Sequence, residues 1–275
     1  MSDQRKNFND QSGGDVTGDA VHIVDVNNPQ SLNLLARAYK DVYKQAFSAA
    51  EREPMEDWIE AMNGGNKFCD MCIVLLGENL NSSKPVLKGI SVGYYYRDQD
   101  AGLLGYTVIN PAFNAPGLEQ AMMDACTEGL QDLSKKNGGL MQAVFLETNN
   151  PAKMENDDER NAAVERLQML QSLGAKLVNA NFIEPPLYEG ADKNESFSLV
   201  AYPGKAGFLP TRKQVKDVVT GLYTGLAECA GCAPKDNPDY NGLMKQIDAT
   251  TDLLTAPSSA PVAPAERKKV LRFNL

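Results

Sequence analysis

The segment from residue 102 to residue 119 has the pattern of an anion-binding loop. The apolar run Gly102–Ile109 is typical of a strand, and it is followed by a turn at Asn110-Pro111, small residues, and a helix start at Pro116-Gly117. Proline is favoured at the first helical position because its missing N–H would be unpaired there anyway. A glycine-containing loop between a strand and a helix directs free N–H groups and the positive end of the helix dipole towards one point. The predicted chemistry is anion binding, most often of a pyrophosphate.

The elements around this loop form a regular series. The runs Gly89–Tyr96 and Gly102–Ile109 flank the polar turn Arg97–Ala101 and predict an antiparallel hairpin. After the loop, apolar residues recur at helical spacing, at Leu118, Met122, Ala125, Cys126 and Leu130. Upstream, the sequence predicts a strand Val21–Val26, a helix Ser31–Phe47 capped by Ser31, a helix Met55–Met62 and a strand Met71–Leu76. Downstream, it predicts strands Gln142–Glu147, Lys176–Asn179 and Glu195–Tyr202, a helix Glu159–Leu173 ended by Gly174, and a helical stretch Arg212–Asp252 interrupted at Cys229–Asp239.

This order, β-α-α-β-β-β-α-β-α-β-β, and the loop residues resemble the Gcn5-related N-acetyltransferase (GNAT) superfamily. Its acetyl-CoA signature is a strand that ends in V-x-P, followed by R/Q-x-x-G-x-G/A at a helix start. Ile109-x-Pro111 matches the strand end, and residues 114–119 occupy the place of the loop, where Gly117 is the strict match. Asn114 replaces the Arg/Gln, and Glu119 replaces the last small residue.

A second stretch resembles one bacterial branch of that superfamily. Leu173-Gly174-Ala175 is followed by Phe182-x-Glu184-Pro185-x-Leu187, which is similar to a G-A pair followed by an aromatic-x-Q/E-P-x-L motif. The branch carries a C-terminal helical extension that begins Leu-Pro, as at Leu209-Pro210. The resemblance covers about residues 20–250.

The resemblance implies an α/β fold, with a central, mixed but mostly antiparallel sheet splayed between two strands, flanked by helices and followed by a C-terminal helical appendage. The expected organisation is a disordered arm at residues 1–19, an acyl-CoA-binding GNAT domain at 20–204, a helical extension at 205–252, and a Pro/Ala/Ser linker with a basic and apolar tail at 253–275.

The resemblance also implies which residues bind acetyl-CoA. The acetyl carbonyl and pantetheine amides would pair with the main chain of Thr107, Val108 and Ile109. The pyrophosphate would lie on the loop and the first helical turn, at Asn114, Ala115, Gly117, Leu118 and Glu119. Asn150, after the following strand, would touch the cofactor arm. Because a carboxylate is repelled by phosphate, we expect the Glu119 side chain to point to solvent while its N–H faces the phosphate.

The single histidine, His22, restricts the possible chemistry. A Ser-His-Asp triad, a Cys-His pair or a multi-histidine metal site would have to use it, and it lies at the start of the first strand. An amine needs only to be neutral to attack a thioester, so a carboxylate can serve as base. Glu147, at the end of its strand, is our candidate base; the alternative is a solvated acid at the rim. Glu51 is placed to bind the amine.

The acid that protonates the leaving thiolate is less defined. By resemblance it would be a tyrosine four residues before Gly174, but that position is Leu170. Tyr106, Tyr95 and Tyr188 are the substitutes. We assign Tyr106 to catalysis and Tyr95 to substrate binding, while the tyrosines at 94–96 can equally be strand packing.

The five cysteines allow two interpretations. Cys69-x-x-Cys72 and Cys229-x-x-Cys232 together have the spacing of a four-thiolate zinc site. However, the odd offset within a strand sends Cys69 and Cys72 to opposite faces. We therefore expect buried structural thiols, a loop pair and no metal. An odd number of cysteines in a chain without a signal sequence argues against a disulfide framework.

Composition predicts a cytoplasmic protein with one sizeable core. The chain has 275 residues, of which 43% are apolar. Residues 1–20 lack the apolar region of a signal peptide, and no run approaches the roughly 20 apolar residues that span a bilayer. The net charge of −9 argues against nucleic-acid binding and is compatible with a cationic amine substrate.

Two functions follow from these observations. The first is an acetyl-CoA-dependent N-acetyltransferase that acts on an amine of a small molecule or a peptide. The second is a GNAT-derived binding or regulatory module without efficient catalysis, which the departures at Asn114, Pro116, Glu119 and Leu170 favour. Because main-chain binding survives changes of side chain, we favour the enzyme. The tail, residues 265–275, is either a frayed basic end or a segment that docks on a partner or on its own domain.

Overall fold

The computed structural model describes residues 19–48, 52–113, 115–187, 190–205, 207–230 and 234–256, apart from the side chains of residues 227–230. Within these residues, eight strands form one sheet in the order β1-β2-β3-β4-β5-β7-β6-β8. Neighbouring strands are antiparallel except β4 and β5, which are parallel. The strands are β1 Asp19–Ile23, β2 Cys69–Glu78, β3 Val86–Tyr96, β4 Ala101–Ile109, β5 Val144–Asn149, β6 Lys176–Val178, β7 Phe197–Tyr202 and β8 Leu254–Thr255.

The helices pack on both faces of this sheet. They are α1 Pro29–Ala38, α2 Lys44–Ala46, α3 Met55–Met62, α4 Leu118–Lys136, α5 Asp157–Ser172, α6 Arg212–Ala230 and α7 Pro238–Ala249, with a π-helical segment Tyr39–Tyr43 between α1 and α2. The expected fold class, an α/β fold with a mixed, mostly antiparallel sheet and flanking helices, is confirmed. No helix among the described residues is long and apolar enough to cross a bilayer.

Several predicted element boundaries need correction. The first strand is Asp19–Ile23 and not Val21–Val26. Asn28 caps α1, because its side chain accepts from the N–H groups of Gln30 and Ser31. The Ser31 hydroxyl instead hydrogen-bonds His22 at 2.7 Å and accepts from the Asp25 N–H at 2.9 Å. The only histidine is thereby held in a local structural contact.

The two faces of the sheet carry separate apolar cores. The larger core contains residues from α1, α3, α6 and α7, whereas the second contains residues from α4 and α5. Cys69 belongs to the first and Cys72 to the second. The prediction that these thiols point to opposite faces is confirmed, and both are buried.

The C-terminal helices belong to the larger core. Val215, Leu222 and Tyr223 of α6 and Ile247 of α7 are buried in it. After them, β8 adds to the edge of the sheet by pairing with β6. The segment expected to begin a polar linker at residue 253 therefore starts with a buried Leu253 and a short strand. The remainder of that linker, from residue 257, and the tail lie outside the described residues.

Two glycines of α6 test how this helix meets the sheet. A Cβ at Gly221 would lie 2.5 Å from Cγ of Tyr96, whereas a Cβ at Gly225 would lie 3.5 Å from the same ring. We expect Gly221→Ala to lower the free energy of unfolding by about 1–3 kcal/mol, since the ring must shift. Gly225→Ala should be neutral or stabilising by up to about 1 kcal/mol through helix propensity. Urea denaturation measures both, and equal effects would contradict the packing of α6 on Tyr96.

Candidate functional site

A fork between β4 and β5 is the main opening in the sheet. The two strands pair only at residues 102–104 and 144–146 and then diverge. At the same level, the β3–β4 register shifts: Val92 faces Tyr106 and Gly93 faces Leu104, which leaves Gly105 unmatched. Such a bulge bends a strand and is common beside functional sites. The splay predicted between two strands is therefore present, and it starts at this bulge.

The β4 wall of the fork carries main-chain groups that point away from β3. The Asn110 N–H donates to the Lys88 carbonyl at 2.7 Å. Because hydrogen-bonded and non-hydrogen-bonded pairs alternate in an antiparallel ladder, Val108 also faces β3 with its main chain. Thr107 and Ile109, opposite Ser91 and Gly89, direct their N–H and C=O groups into the fork.

The β5 wall presents matching groups. The Asn150 N–H donates to the Ser196 carbonyl at 2.8 Å, so the same alternation turns the main chain of Glu147 and Asn149 towards the fork. Among the described residues, no backbone hydrogen bond closes the fork beyond Leu104 and Leu146. Buried main-chain groups are almost always paired, so these walls fit an occupant that carries amide groups.

The glycine loop lies at the open end of β4. Gly117 has a φ of +86° and immediately precedes α4, and a Cβ there would meet no atom within 4 Å. The first N–H groups of a 19-residue helix follow it without intrahelical partners. Ala115 is exposed and Leu118 is buried. The helix begins at Leu118, so Pro116 lies outside it, and Asn114 lies outside the described residues.

Glu119 does not point to solvent as expected. Its carboxylate is buried and forms an ion pair with Arg166 of α5. The sequence prediction failed because Arg166 is 47 residues away and no local pattern connects the two. The pair neutralises the acid that would otherwise repel an anion at the loop.

Asn150 follows β5, as its predicted role at the cofactor arm requires. Its Oδ1 accepts from the Ala152 N–H at 3.0 Å and caps a short 3₁₀ turn. The residue is half-buried. Its amide NH₂ remains compatible with a polar contact at the mouth of the fork.

Glu147 lies on the face of the larger core. Glu147 is 3% exposed, and neither of its carboxyl oxygens has a hydrogen-bond partner among the described residues. Burial, together with the charge of Glu184, raises the pKa of Glu147 well above its usual range. The alternative of a solvated acid at the rim is thereby excluded.

Glu184 is a site residue that the sequence analysis did not select. It is 2% exposed, and burial raises its pKa to about 8, while a hydrogen bond with the Asn194 side chain opposes this rise. It comes from the loop between β6 and β7, 37 residues after Glu147. The signal in the sequence is the motif Phe182-x-Glu184-Pro185, which indicates a family resemblance but not a buried acid.

The tyrosines divide between the two faces of the sheet. Tyr94, Tyr96 and Tyr106 lie in the larger core, on the side of Glu147. Tyr95 lies in the second core, where its hydroxyl donates to Asp100 at 2.9 Å. Because successive strand residues point to opposite faces, Tyr95 lies on the face away from Glu147, and its predicted contact with substrate stays a prediction.

Topology now places the chain in a known fold. A mostly antiparallel sheet opens at one parallel pair, and a glycine-capped helix follows the diverging strand. These are the features that the resemblance implied. The chain has the GNAT fold.

Solved acetyltransferases were found with a similar arrangement. The ribosomal-protein-S18-alanine N-acetyltransferase from Escherichia coli is 14% identical over 70% of this chain and 99% of its own, with a TM-score of 0.39. Diaminobutyrate acetyltransferase EctA from Paenibacillus lautus, in complex with its substrate and coenzyme A, is 9% identical over 70% of this chain and 98% of its own, with a TM-score of 0.39. The Salmonella typhimurium protein yncA, with its cofactor acetyl-CoA, is 11% identical over 71% of this chain and 99% of its own, with a TM-score of 0.38. These values concern the arrangement of elements and carry no inference about substrate. No protein-family model and no curated protein matches the chain.

The residue predicted to bind the amine, Glu51, lies outside the described residues, as does Tyr188. Glu53 is the acid described there. Its carboxylate accepts from Trp58 Nε1 at 2.5 Å and from the Tyr94 hydroxyl at 2.6 Å. Burial raises its pKa, and these two hydrogen bonds oppose the rise.

Tyr106 lies next to this acid, within an aromatic cluster. Its ring centroid is 5.1 Å from that of Tyr43, 5.0 Å from Phe47 and 6.2 Å from Trp58. Burial, followed by the charge of Glu53, raises the pKa of Tyr106 well above its usual range. The Tyr106 hydroxyl, which hydrogen-bonds that of Tyr43, therefore loses its proton less readily than a free tyrosine.

The described part of the chain contains no group of three or more His, Cys, Asp or Glu residues that could hold a metal ion. Cys232 and the side chain of Cys229 lie outside that part. Leu170, at the position of the usual tyrosine, is fully buried in the second core.

The ion pair between Glu119 and Arg166 generates a stability prediction. Removing one partner of a buried pair leaves an uncompensated charge, so Arg166→Met should lower the free energy of unfolding by about 3–5 kcal/mol. The double variant Glu119→Gln/Arg166→Met should recover most of this loss, because no buried charge remains. Urea denaturation measures both variants. A double variant as unstable as the single one would show that lost packing, and not the charge of Glu119, causes the effect.

Proposed function

We propose that this chain is an acetyl-CoA-dependent N-acetyltransferase that transfers an acetyl group to an amine of a small molecule or peptide. One observation carries the proposal: a buried carboxyl without partners, Glu147, lies where two strands part and leave main-chain groups of both walls unpaired. A slot lined by main-chain N–H and C=O groups suits an amide-bearing chain, and a raised pKa suits a general base.

The residues around the fork fit acetyl-CoA. Thr107 and Ile109 would pair with the acetyl carbonyl and the pantetheine amides through their main chains. Gly117 and the first turn of α4 would hold the pyrophosphate, since a glycine there leaves room for close approach. The main chain of Val108 is used by β3, so Val108 would support the slot only through its position. Bound there, acetyl-CoA supplies the thioester as acyl donor.

Glu147 would act as the base. An acceptor ammonium ion loses one proton to the carboxylate, and the electron pair stays on nitrogen. That nitrogen forms a bond to the acetyl carbon, the carbon–sulfur bond breaks, and the second amine proton ends on the sulfur. We propose that Tyr106 donates a hydrogen bond to the leaving sulfur, and that Glu53, in place of Glu51, gives the acceptor side its negative charge.

Binding is tested first. Acetyl-CoA should raise the melting temperature of the wild-type protein, as any ligand of the native state must. Gly117→Asp should abolish this rise by placing charge and bulk at the phosphate. Gly138→Asp is the matched control, because Gly138 also has a positive φ, open surroundings and a place at the other end of α4. Equal loss of the acetyl-CoA effect in both variants, or no effect on the wild type at millimolar acetyl-CoA, would contradict the site.

Catalysis is tested through Glu147. With acetyl-CoA and a panel of n-butylamine, glycinamide and a tripeptide with a free N-terminus, CoA release measures turnover. Glu147→Gln should lower kcat by roughly 10²–10⁴-fold, and the defect should shrink at high pH, where the amine deprotonates unaided. The rise in melting temperature with acetyl-CoA should persist in this variant. Binding without CoA release in the wild type would instead favour the binding-module alternative.

A further inference from the structure

Glu147 and Glu184 form a pair of buried acids. The Oε1 of Glu184 and both carboxyl oxygens of Glu147 lack hydrogen-bond partners among the described residues. Neither carboxyl takes part in an ion pair within that part of the chain. The charge of Glu184 acts on Glu147 and raises the pKa of that carboxyl further than burial alone. A native protein rarely keeps such groups unless they have a function or an occupant.

The backbone around Glu184 is held firmly. Its N–H donates to the Asn194 carbonyl at 2.9 Å, and the Asn194 N–H donates back at 3.0 Å. The Tyr223 hydroxyl of α6 donates to the Ile183 carbonyl at 2.6 Å. Phe182 is buried in the larger core. The segment therefore holds Glu184 at a fixed place, with the C-terminal helix as one support.

The titratable neighbours of the pair add no positive charge. The charges of both carboxyls raise the pKa values of Tyr96 of β3 and Tyr223 of α6, and that of Glu184 also raises the pKa of Tyr106 of β4. Glu53 and Cys69 act on Tyr96 in the same direction. Two carboxylates in a low-dielectric site repel each other, so ionisation of one raises the proton affinity of the other. A cation that enters the slot relieves this repulsion.

We propose that Glu184 is a positioning residue whose negative charge beside Glu147 makes that carboxylate a strong enough base to deprotonate an ammonium acceptor. The inference rests on the proposed acetyltransferase function and deepens it by assigning a cationic primary amine as substrate. One N–H bond of the ammonium breaks, its electron pair stays on nitrogen, and an O–H bond forms on Glu147. Above about pH 8, where Glu184 is ionised, it keeps its charge, and the proton on Glu147 passes to solvent after the product leaves.

The pair also has a consequence for stability. A carboxyl whose folded pKa is raised stabilises the folded state below its unfolded value of about 4.3, and this contribution is lost as pH rises through the folded pKa. The free energy of unfolding of the wild-type protein should therefore fall as pH rises from about 4 to 8, where 8 is the pKa of Glu184. It should fall further above pH 8, because the pKa of Glu147 is also raised. Glu184→Gln should lose less, so its melting temperature should exceed that of the wild type by a margin that grows from pH 5 to pH 9.

The decisive experiment is a carboxyl titration of the ligand-free protein labelled with [¹³C]glutamate, followed by NMR. The wild type should show two coupled carboxyl titration steps above pH 5. The step that disappears in Glu147→Gln belongs to Glu147, and the step that disappears in Glu184→Gln belongs to Glu184. In Glu184→Gln, the remaining Glu147 step should lie at least one pH unit below the upper wild-type step. Glu184→Asp retains a second carboxyl, so the titration midpoint of Glu147 should stay near its wild-type value in this variant. An unchanged Glu147 midpoint in Glu184→Gln, or midpoints of both acids near pH 4–5, overturns the proposal.

The same variants are then assayed for CoA release with acetyl-CoA and the amines of the panel. In Glu184→Gln, the acidic limb of kcat/KM should move to lower pH by about one unit, while the maximal kcat falls, since a less basic Glu147 is the weaker base. Glu195→Gln is the control, because Glu195 carries the same charge in the neighbouring segment but is exposed; its profile should match the wild type. Normal turnover with an unshifted limb in Glu184→Gln overturns the proposal. Failure of acetyl-CoA to bind or react refutes the proposed function instead, while the NMR titration still decides whether Glu184 controls Glu147.

Discussion

The separation of β4 from β5 is the constraint on which the rest of this structure depends. Three residue pairs join the strands before a bulge at Gly105 turns β4 away. Beyond that point, each strand keeps one antiparallel partner and loses the other, so half of the local main-chain groups face a gap. The sheet can retain this gap because β3 and β7 hold the outer sides of the fork. An amide-bearing occupant would complete it.

The two faces of the sheet divide the chemistry. On one face, α4 starts at the end of β4 with Gly117 and with an acid, Glu119, that Arg166 neutralises. This arrangement favours an anion. On the other face, Glu147 and Glu184 lie among tyrosines without a described cation. In the proposed reaction, an anionic arm and a cationic acceptor would thus approach the fork from opposite sides.

The C-terminal helices pack into the larger core, on the face of the sheet that carries Glu147. Gly221 allows α6 to lie directly on the Tyr96 ring, and Tyr223 anchors the chain one residue before Glu184. Tyr223 of α6 also feels the charges of both carboxyls. Burial is the main cause of the raised pKa values of Glu147 and Glu184.

The sequence by itself determined the local elements and the order in which they occur. Met55–Met62 is a helix within its predicted bounds, the hairpin and the helix after Gly117 are present, and the odd offset of Cys69 and Cys72 sends them to opposite faces. These features follow from periodicity and backbone preference, which act over a few residues. The position of Glu147 at the fork also followed from strand order.

Only the tertiary structure decided which groups meet. The run of tyrosines at 94–96 has no polar alternation, so the register of β3 alone assigns Tyr95 to the face away from the site. The ion pair of Glu119 with Arg166 joins residues that are 47 positions apart, and the charge of Glu184 acts on Glu147, which lies 37 positions earlier. Both follow from the packing of helices and loops against the sheet. Charge burial is a property of such long-range contacts, and no local pattern encodes it.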